Sequence, residues 1–354
     1  MNNWLFTFRK FIYFSLNFLR GSNKKVTMKH RLLLIFMVLI GIRAIAQQEA
    51  QYTNFMFSQM SYNPGYAGSE DQYAFTGLYR NQWMGFKSTV DGSSGAPITY
   101  FITGHTNINK IRSGIGFSLI SDQIGFENNI AARLAYAFRL NVGPGKLGIG
   151  VQGGFINKKI DFSKYKPENP NDPLLASSAK ETAMSLDFAF GLHYKIVNKL
   201  YAGLSSTRLT QSSNEFSVPT LGTFEQKRHY FLYGGYYYQL PNRPEIEINP
   251  NLMVKTDFAS AQYDFNVLGI LDDKIYAGIS YRVVDAVSIL AGMAIKGSVK
   301  NGDGFRFGAS YDVTTSTLGY GTGRSAGSVE FWLDYSFKIV IFVPPSVHGT
   351  VRFL

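Results

Sequence analysis

Apolar and polar side chains alternate along most of this chain, and a period of two marks β-strands with one greasy face. Over residues 184–196, Met184, Leu186, Phe188, Phe190, Leu192, Tyr194 and Ile196 fall on one face, opposite Ser185, Asp187, Ala189, Gly191, His193 and Lys195. Over 305–313, Phe305, Phe307, Ala309, Tyr311 and Val313 oppose Arg306, Gly308, Ser310 and Asp312. Over 329–339, Val329, Phe331, Leu333, Tyr335, Phe337 and Ile339 oppose Glu330, Trp332, Asp334, Ser336 and Lys338. The pattern predicts fourteen strands: 72–82, 96–108, 112–121, 128–140, 146–156, 183–196, 200–209, 228–239, 245–256, 261–270, 274–282, 287–296, 303–313 and 328–339.

A soluble sandwich would alternate in the same way, so the choice rests on length, charge and loops. Many of these segments run to about 10–13 residues, the span of a tilted membrane strand, where soluble strands average about five or six. Their polar faces carry charges of both signs, which suits a wet lumen better than a dry core. The even-numbered connections are short: Asn109 to Ile111, Asn141 to Gly145, Val197 to Lys199, Leu240 to Pro244, Leu271 to Asp273 and Gly297 to Gly302. The long ones, 83–95, 157–182, 210–227 and 314–327, are all odd-numbered. An even strand count with long loops on one rim and short turns on the other is the pattern of an outer-membrane barrel. The expected fold class is therefore all-β, a transmembrane antiparallel up-and-down β-barrel of about fourteen strands.

Composition agrees: charged residues make up 17% and aromatics 15% of the 354 residues. The net charge of +11 at first suggests a nucleic-acid partner. Eight of the 35 basic residues (Arg9, Lys10, Arg20, Lys24, Lys25, Lys29, Arg31 and Arg43) precede residue 47, where no acidic residue occurs; 27 basic then face 24 acidic residues. That small excess removes the argument for nucleic acid. Met28-Lys29-His30-Arg31, the apolar run Leu32 to Ile42 and Ala44-Ile45-Ala46 read as a signal peptide over 28–46, with 1–27 as a start-site extension. The expected order is then a segment at 47–71, a barrel at 72–339 and a periplasmic tail at 340–354.

Candidate chemistry is sparse. Gly143-Pro144-Gly145-Lys146-Leu147-Gly148 matches G-x-G-x-x-G but lies in a hairpin, with no helix to cap a pyrophosphate, so it reads as a turn. His105, His193, His229 and His348 show no metal-ligand spacing, there is no cysteine, and no G-x-S-x-G elbow occurs. The sequence thus predicts no enzyme, no catalytic or metal residues and no cofactor. Arg80, Arg133, Arg139, Asp187, Lys195, Arg282, Lys296, Arg306, Asp312, Glu330 and Asp334 fall on lumen-facing positions, either lining a pore or pairing with one another. Residues 47–71 do not alternate: Phe55, Met56, Phe57, Met60, Tyr62 and Tyr66 crowd around a turn at Asn63-Pro64-Gly65. Such a segment needs burial, and it is predicted to plug the lumen from the periplasmic side. Arg80 and Trp83 end the first strand at the outer rim, where tryptophan suits an aromatic girdle.

Several short motifs carry a resemblance. Phe57-Ser58-Gln59-Met60 with Asn63-Pro64-Gly65-Tyr66-Ala67-Gly68, Leu78-Tyr79-Arg80-Asn81-Gln82-Trp83, Tyr281-Arg282 with Asp285-Ala286-Val287-Ser288, and Tyr311-Asp312-Val313-Thr314-Thr315-Ser316 with Gly327-Ser328-Val329-Glu330 resemble the PorP/SprF family of type IX secretion outer-membrane proteins. Val329 stands where that family often has histidine. The resemblance implies a role in the Bacteroidota type IX system, linked to gliding motility and cell-surface adhesins. It implies a large adhesin-like cargo with a C-terminal sorting domain as partner, with translocon or periplasmic components and outer-membrane lipid as further contacts. The first segment also resembles, more weakly, the N-terminal hatch of fatty-acid transporter barrels, which leaves a passive transporter as the alternative. The contact residues expected for a plug or partner are Phe57, Met60, Asn63, Pro64, Tyr66, Arg80 and Trp83. The loop 157–182 is the expected cargo-facing loop. The tail is expected either to touch periplasmic components or to hang free.

Overall fold

A computed structural model describes residues 49–87, 95–164, 180–215, 223–300, 304–319 and 324–338. The start-site extension, the leader and the tail lie outside the described residues, as does the middle of the loop 157–182.

Fourteen antiparallel strands close into a ring. They are β1 Tyr73–Asn81, β2 Ile98–Ile108, β3 Ser113–Ile124, β4 Glu127–Val142, β5 Gly145–Asp161, β6 Lys180–Ile196, β7 Leu200–Thr207, β8 His229–Tyr236 (resuming as Tyr238–Leu240), β9 Arg243–Thr256, β10 Ala261–Leu271, β11 Ile275–Arg282, β12 Ala286–Ala294, β13 Gly304–Thr314 and β14 Ser328–Phe337. Each strand pairs with its sequence neighbours, and β1 pairs with β14 from Tyr73↔Phe337 to Asn81↔Val329, which closes the ring. Closure leaves no strand edge unpaired, the condition for a sheet to cross lipid.

The number of strands and their order match the alternation read from the sequence. Outward positions are apolar and exposed, including Leu134 at 72%, Leu186 at 61% and Ile279 at 64%. A surface of that kind is stable in hydrocarbon and would aggregate in water. This is an outer-membrane β-barrel. Short turns gather at one rim (109–112, 143–144, 197–199, 241–242, 272–274), and the long connections at the other.

Three local readings change. Strands β5 and β6 reach 17 residues each and stay paired to Asp161↔Lys180, so the ends of the expected loop 157–182 are strand. Inward alternation simply continues there through Ile156, Lys158 and Ile160, with Lys158 paired to Glu127 at 2.7 Å. Lys296 is exposed in the turn after β12 and does not face the lumen, because the strand ends two residues earlier. The connection after β7 carries a short ladder of its own, Ser213–Glu215 against Thr223–Glu225.

The interior is not simply wet. Inward positions of β10, β11, β12 and β14 include Leu268, Ile270, Tyr276, Leu290 and Trp332, all buried. They form a hydrophobic cluster with Tyr52, Phe55, Met56 and Tyr62 from the segment ahead of β1. Strict polar-in alternation breaks on these strands because that segment brings apolar surface to cover.

Candidate functional site inside the barrel

Residues 49–71 run along the inside of the ring, and they run from the outer end to the periplasmic end. Glu49 lies beside Arg208, just past the outer end of β7, with the Arg208 Nε 2.8 Å from its Oε1. At the other end, the Asn107 side-chain amide donates to the Asp71 carboxylate at 2.9 Å beside the first periplasmic turn, and Lys146 Nζ stands 3.5 Å from it. The sequence expectation had the segment entering from the periplasm; only its last residues lie there. Short 3-10 turns at Phe55–Phe57, Gln59–Ser61 and Pro64–Tyr66 compact it and pair part of its backbone internally.

The outermost contacts are ionic. Arg80 is 1% exposed and lies between Asp312 (2.7 Å) and Glu330 (3.0 Å). The backbone N–H groups of Thr53 and Asn54 donate to the two oxygens of Glu330, at 2.9 and 2.7 Å. The Thr53 hydroxyl donates to Asp312 and accepts from Arg80 Nη1 at 2.8 Å. Arg282, paired to Asp264 at 2.8 Å, donates to the Tyr52 carbonyl, and Arg133 pairs with Asp187 at 2.6 Å. Losing one member of such a buried pair costs about 3–5 kcal/mol, since the other charge stays buried without its counterion.

Below this lies an apolar layer. The Phe57 ring stacks on Trp332 at 4.2 Å, and Tyr62 stacks on Phe231 at 5.3 Å. Trp332 donates its indole N–H to the Tyr276 hydroxyl at 2.7 Å. Each fully buried side chain of this kind contributes about 1.5–3 kcal/mol.

The turn at Asn63-Pro64-Gly65 sits against strands stripped of side chains. A Cβ at Gly150 would come 2.3 Å from the Pro64 carbonyl carbon, one at Gly148 2.2 Å from the Gly65 oxygen, and one at Gly191 2.0 Å from the Asn63 side-chain oxygen. Inward glycines on β5 and β6 thus let backbone meet backbone. Asn63 caps the turn by accepting from the Gly65 N–H, and donates to the Leu192 carbonyl and the Tyr233 hydroxyl, each at 2.9 Å. Arg139 donates to the Ala67 carbonyl at 3.1 Å.

A second ionic layer closes the periplasmic end. Arg306 holds Asp334 at 2.7 Å and Glu70 at 3.7 Å. Burial would raise the Glu70 carboxyl, but Arg306 and then Lys195 outweigh it and hold it below the usual range. Tyr66 donates to Glu70 at 3.0 Å and meets His105 and His193 edge-on, both at 5.0 Å.

A family model described as type IX secretion system membrane protein PorP/SprF matches residues 44–335. The chain belongs to the PorP/SprF family. No curated protein matches it by sequence. Among solved structures, similarity extends to the CymD monoaromatic hydrocarbon channel, with 10% identity over 85% of this chain and 96% of that one and a TM-score of 0.48. The Ralstonia pickettii toluene transporter TbuX has 10% identity over 80% and 94%, with a TM-score of 0.47. The Acinetobacter baumannii outer membrane protein Omp33 has 8% identity over 77% and 100%, with a TM-score of 0.39.

In this PorP/SprF barrel the residues singled out from sequence occupy different environments. Met60, Asn63 and Pro64 are buried against the wall, while Phe57 and Tyr66 are part-buried within the lumen. Arg133, Arg139, Asp187, Arg282, Arg306, Asp312, Glu330 and Asp334 are buried, whereas Lys195 is half-buried near the periplasmic end. Trp83 is half-buried with φ 53, and its backbone N–H donates to the Ser328 hydroxyl at the outer rim. Sequence reasoning missed Glu49, Glu70, Asp264 and the glycines 148, 150 and 191. Asp264 sits in register on the inward face of β10, and Gly148 and Gly150 alternate on that of β5; those two signals were in the pattern.

Proposed function

We propose that this outer-membrane component of type IX secretion works as a non-enzymatic docking and anchoring barrel, supporting secretion and surface attachment of a large adhesin-like cargo through the cargo's C-terminal sorting domain. In this reading residues 49–71 act as a plug, so the barrel presents a rigid surface to a protein partner and does not conduct solutes. The observation that carries it is the set of hydrogen bonds from Thr53, Asn54 and Asn63 to groups on β6, β8, β13 and β14. The signal peptide at 28–46, a Bacteroidota source and a link to gliding motility belong to the same proposal. Deleting the gene is expected to leave one or a few large surface proteins unsecreted or released from the cell, read by surface proteomics. An unchanged surface proteome would sink the proposal.

The alternative is a passive transporter for small solutes. It calls for steady conductance by the intact protein in planar bilayers. The docking reading expects near silence, with conductance arising once residues 49–66 are deleted.

A further inference from the structure

A cavity of about 30 Å³ lies at the periplasmic end of the lumen, between the inner segment and the wall. Its lining includes Tyr66, Glu70, His193, Lys195, Tyr237 and Arg306. Space of this size holds about two water-sized groups, the footprint of a carboxylate's two oxygens.

The charges around it are almost all satisfied from within the protein. Arg306 holds Asp334 and Glu70, and Lys300 Nζ pairs with Glu247 at 2.8 Å. Lys195 is the exception: among the described residues no carboxylate lies within 4.0 Å of its ammonium group, and it is only half-buried. The Tyr237 hydroxyl likewise has no hydrogen-bond partner among them.

His193 adds an independent indication. It is fully buried, and its Nε2 has no hydrogen-bond partner. Its tautomer is assigned from its neighbours. The Asn63 amide donates to the Tyr233 oxygen at 2.9 Å, which leaves the Tyr233 proton free to go to His193 Nδ1, 2.9 Å away. A neutral ring that accepts at Nδ1 carries its proton on Nε2. Nε2–H is therefore a buried donor with nothing to donate to, an arrangement that costs about 1–3 kcal/mol unless a ligand or water takes it.

Lys195, which supports Glu70 only at longer range and has no carboxylate in contact, and two free donors around a space of this size match the two oxygens of a carboxylate. We infer that the periplasmic end of the lumen is a carboxylate-binding subsite, with Lys195 as the ion partner and His193 Nε2–H and the Tyr237 hydroxyl as further donors. The carboxylate comes either from a polypeptide reaching in from the periplasm or from a small free acid; the chemistry of recognition is shared. The inference does not depend on the cargo proposal, since it concerns the opposite mouth from the long outer connections.

Isothermal titration of the full-length barrel, purified in detergent, distinguishes the two sources. The probes are sodium acetate, N-acetyl-trialanine with a free carboxylate, and the C-terminal amide of that peptide. Saturable binding of the free-acid peptide, absence of binding by the amide, and at least about tenfold weakening in Lys195→Gln support the subsite with a polypeptide source. Acetate binding as tightly as the peptide, with the same loss in Lys195→Gln, supports it with a free acid as source. Tyr237→Phe, which removes a hydroxyl without touching an ion pair, is expected to weaken binding severalfold and guards against a misfolded Lys195 variant. Heat-dependent gel mobility reports that each variant is folded. Equal binding of acid and amide, no binding of either acid, or unchanged binding in both folded variants overturns the inference.

Discussion

Glu49 shows how much one part-buried carboxylate can hold. Burial opposes its ionisation, yet Arg208 and then Arg133 outweigh this and bring its pKa down to about 2. A depressed folded-state value means stability that is complete above the unfolded value of about 4.3 and is lost as pH falls through about 2. The difference corresponds to about 3 kcal/mol at neutral pH. Glu49→Gln is therefore expected to lower the urea midpoint of the purified barrel at pH 7, followed by tryptophan fluorescence. The gap between the variant and the parent should close between pH 4 and pH 2; a gap of undiminished size at pH 2 would contradict the assignment.

At the scale of elements, the inner segment and the wall are matched by what the wall lacks. Gly148, Gly150 and Gly191 remove side chains where the Asn63-Pro64-Gly65 turn lands. Gly150→Val puts methyl groups where the Pro64 backbone lies, and overpacking of that kind costs about 1–3 kcal/mol. The strands can remain paired while the turn is expelled. Limited proteolysis should then cut between residues 60 and 70 in a barrel that keeps its heat-dependent gel shift. Gly269→Ala is the control, because its new Cβ would meet only the Ala277 oxygen at 3.8 Å, an ordinary contact. Resistance of Gly150→Val to cleavage would mean that the cradle does not hold the segment.

At the scale of the molecule, two ionic layers enclose an apolar one, and the inner segment threads all three. The orientation follows from loop parity and is open to a direct check, because the chain contains no cysteine. Phe258 and Val284, 77% and 74% exposed, lie in connections at the outer rim, and Val197, 64% exposed, lies in a periplasmic turn. A membrane-impermeant maleimide should label Phe258→Cys and Val284→Cys on intact cells, and Val197→Cys only after the outer membrane is permeabilised. The reverse result would invert the barrel.

Most of the ring was legible in the sequence. A strand in lipid has one face in hydrocarbon, so every second residue of β6, β13 and β14 reports its side directly, and loop lengths report the rim. The Asn63-Pro64-Gly65 turn and the aromatic crowding ahead of β1 also showed that this segment needed cover. The register of contacts inside the lumen was not legible. That Arg80 meets Glu330 and Asp312, or that Tyr66 lies between His105 and His193, depends on strands up to 250 residues apart in sequence being brought side by side by closure of the ring. Local periodicity sets which way a residue faces. Only the closed tertiary structure decides what it faces, because those partners come from the far wall and from a segment with no periodicity of its own.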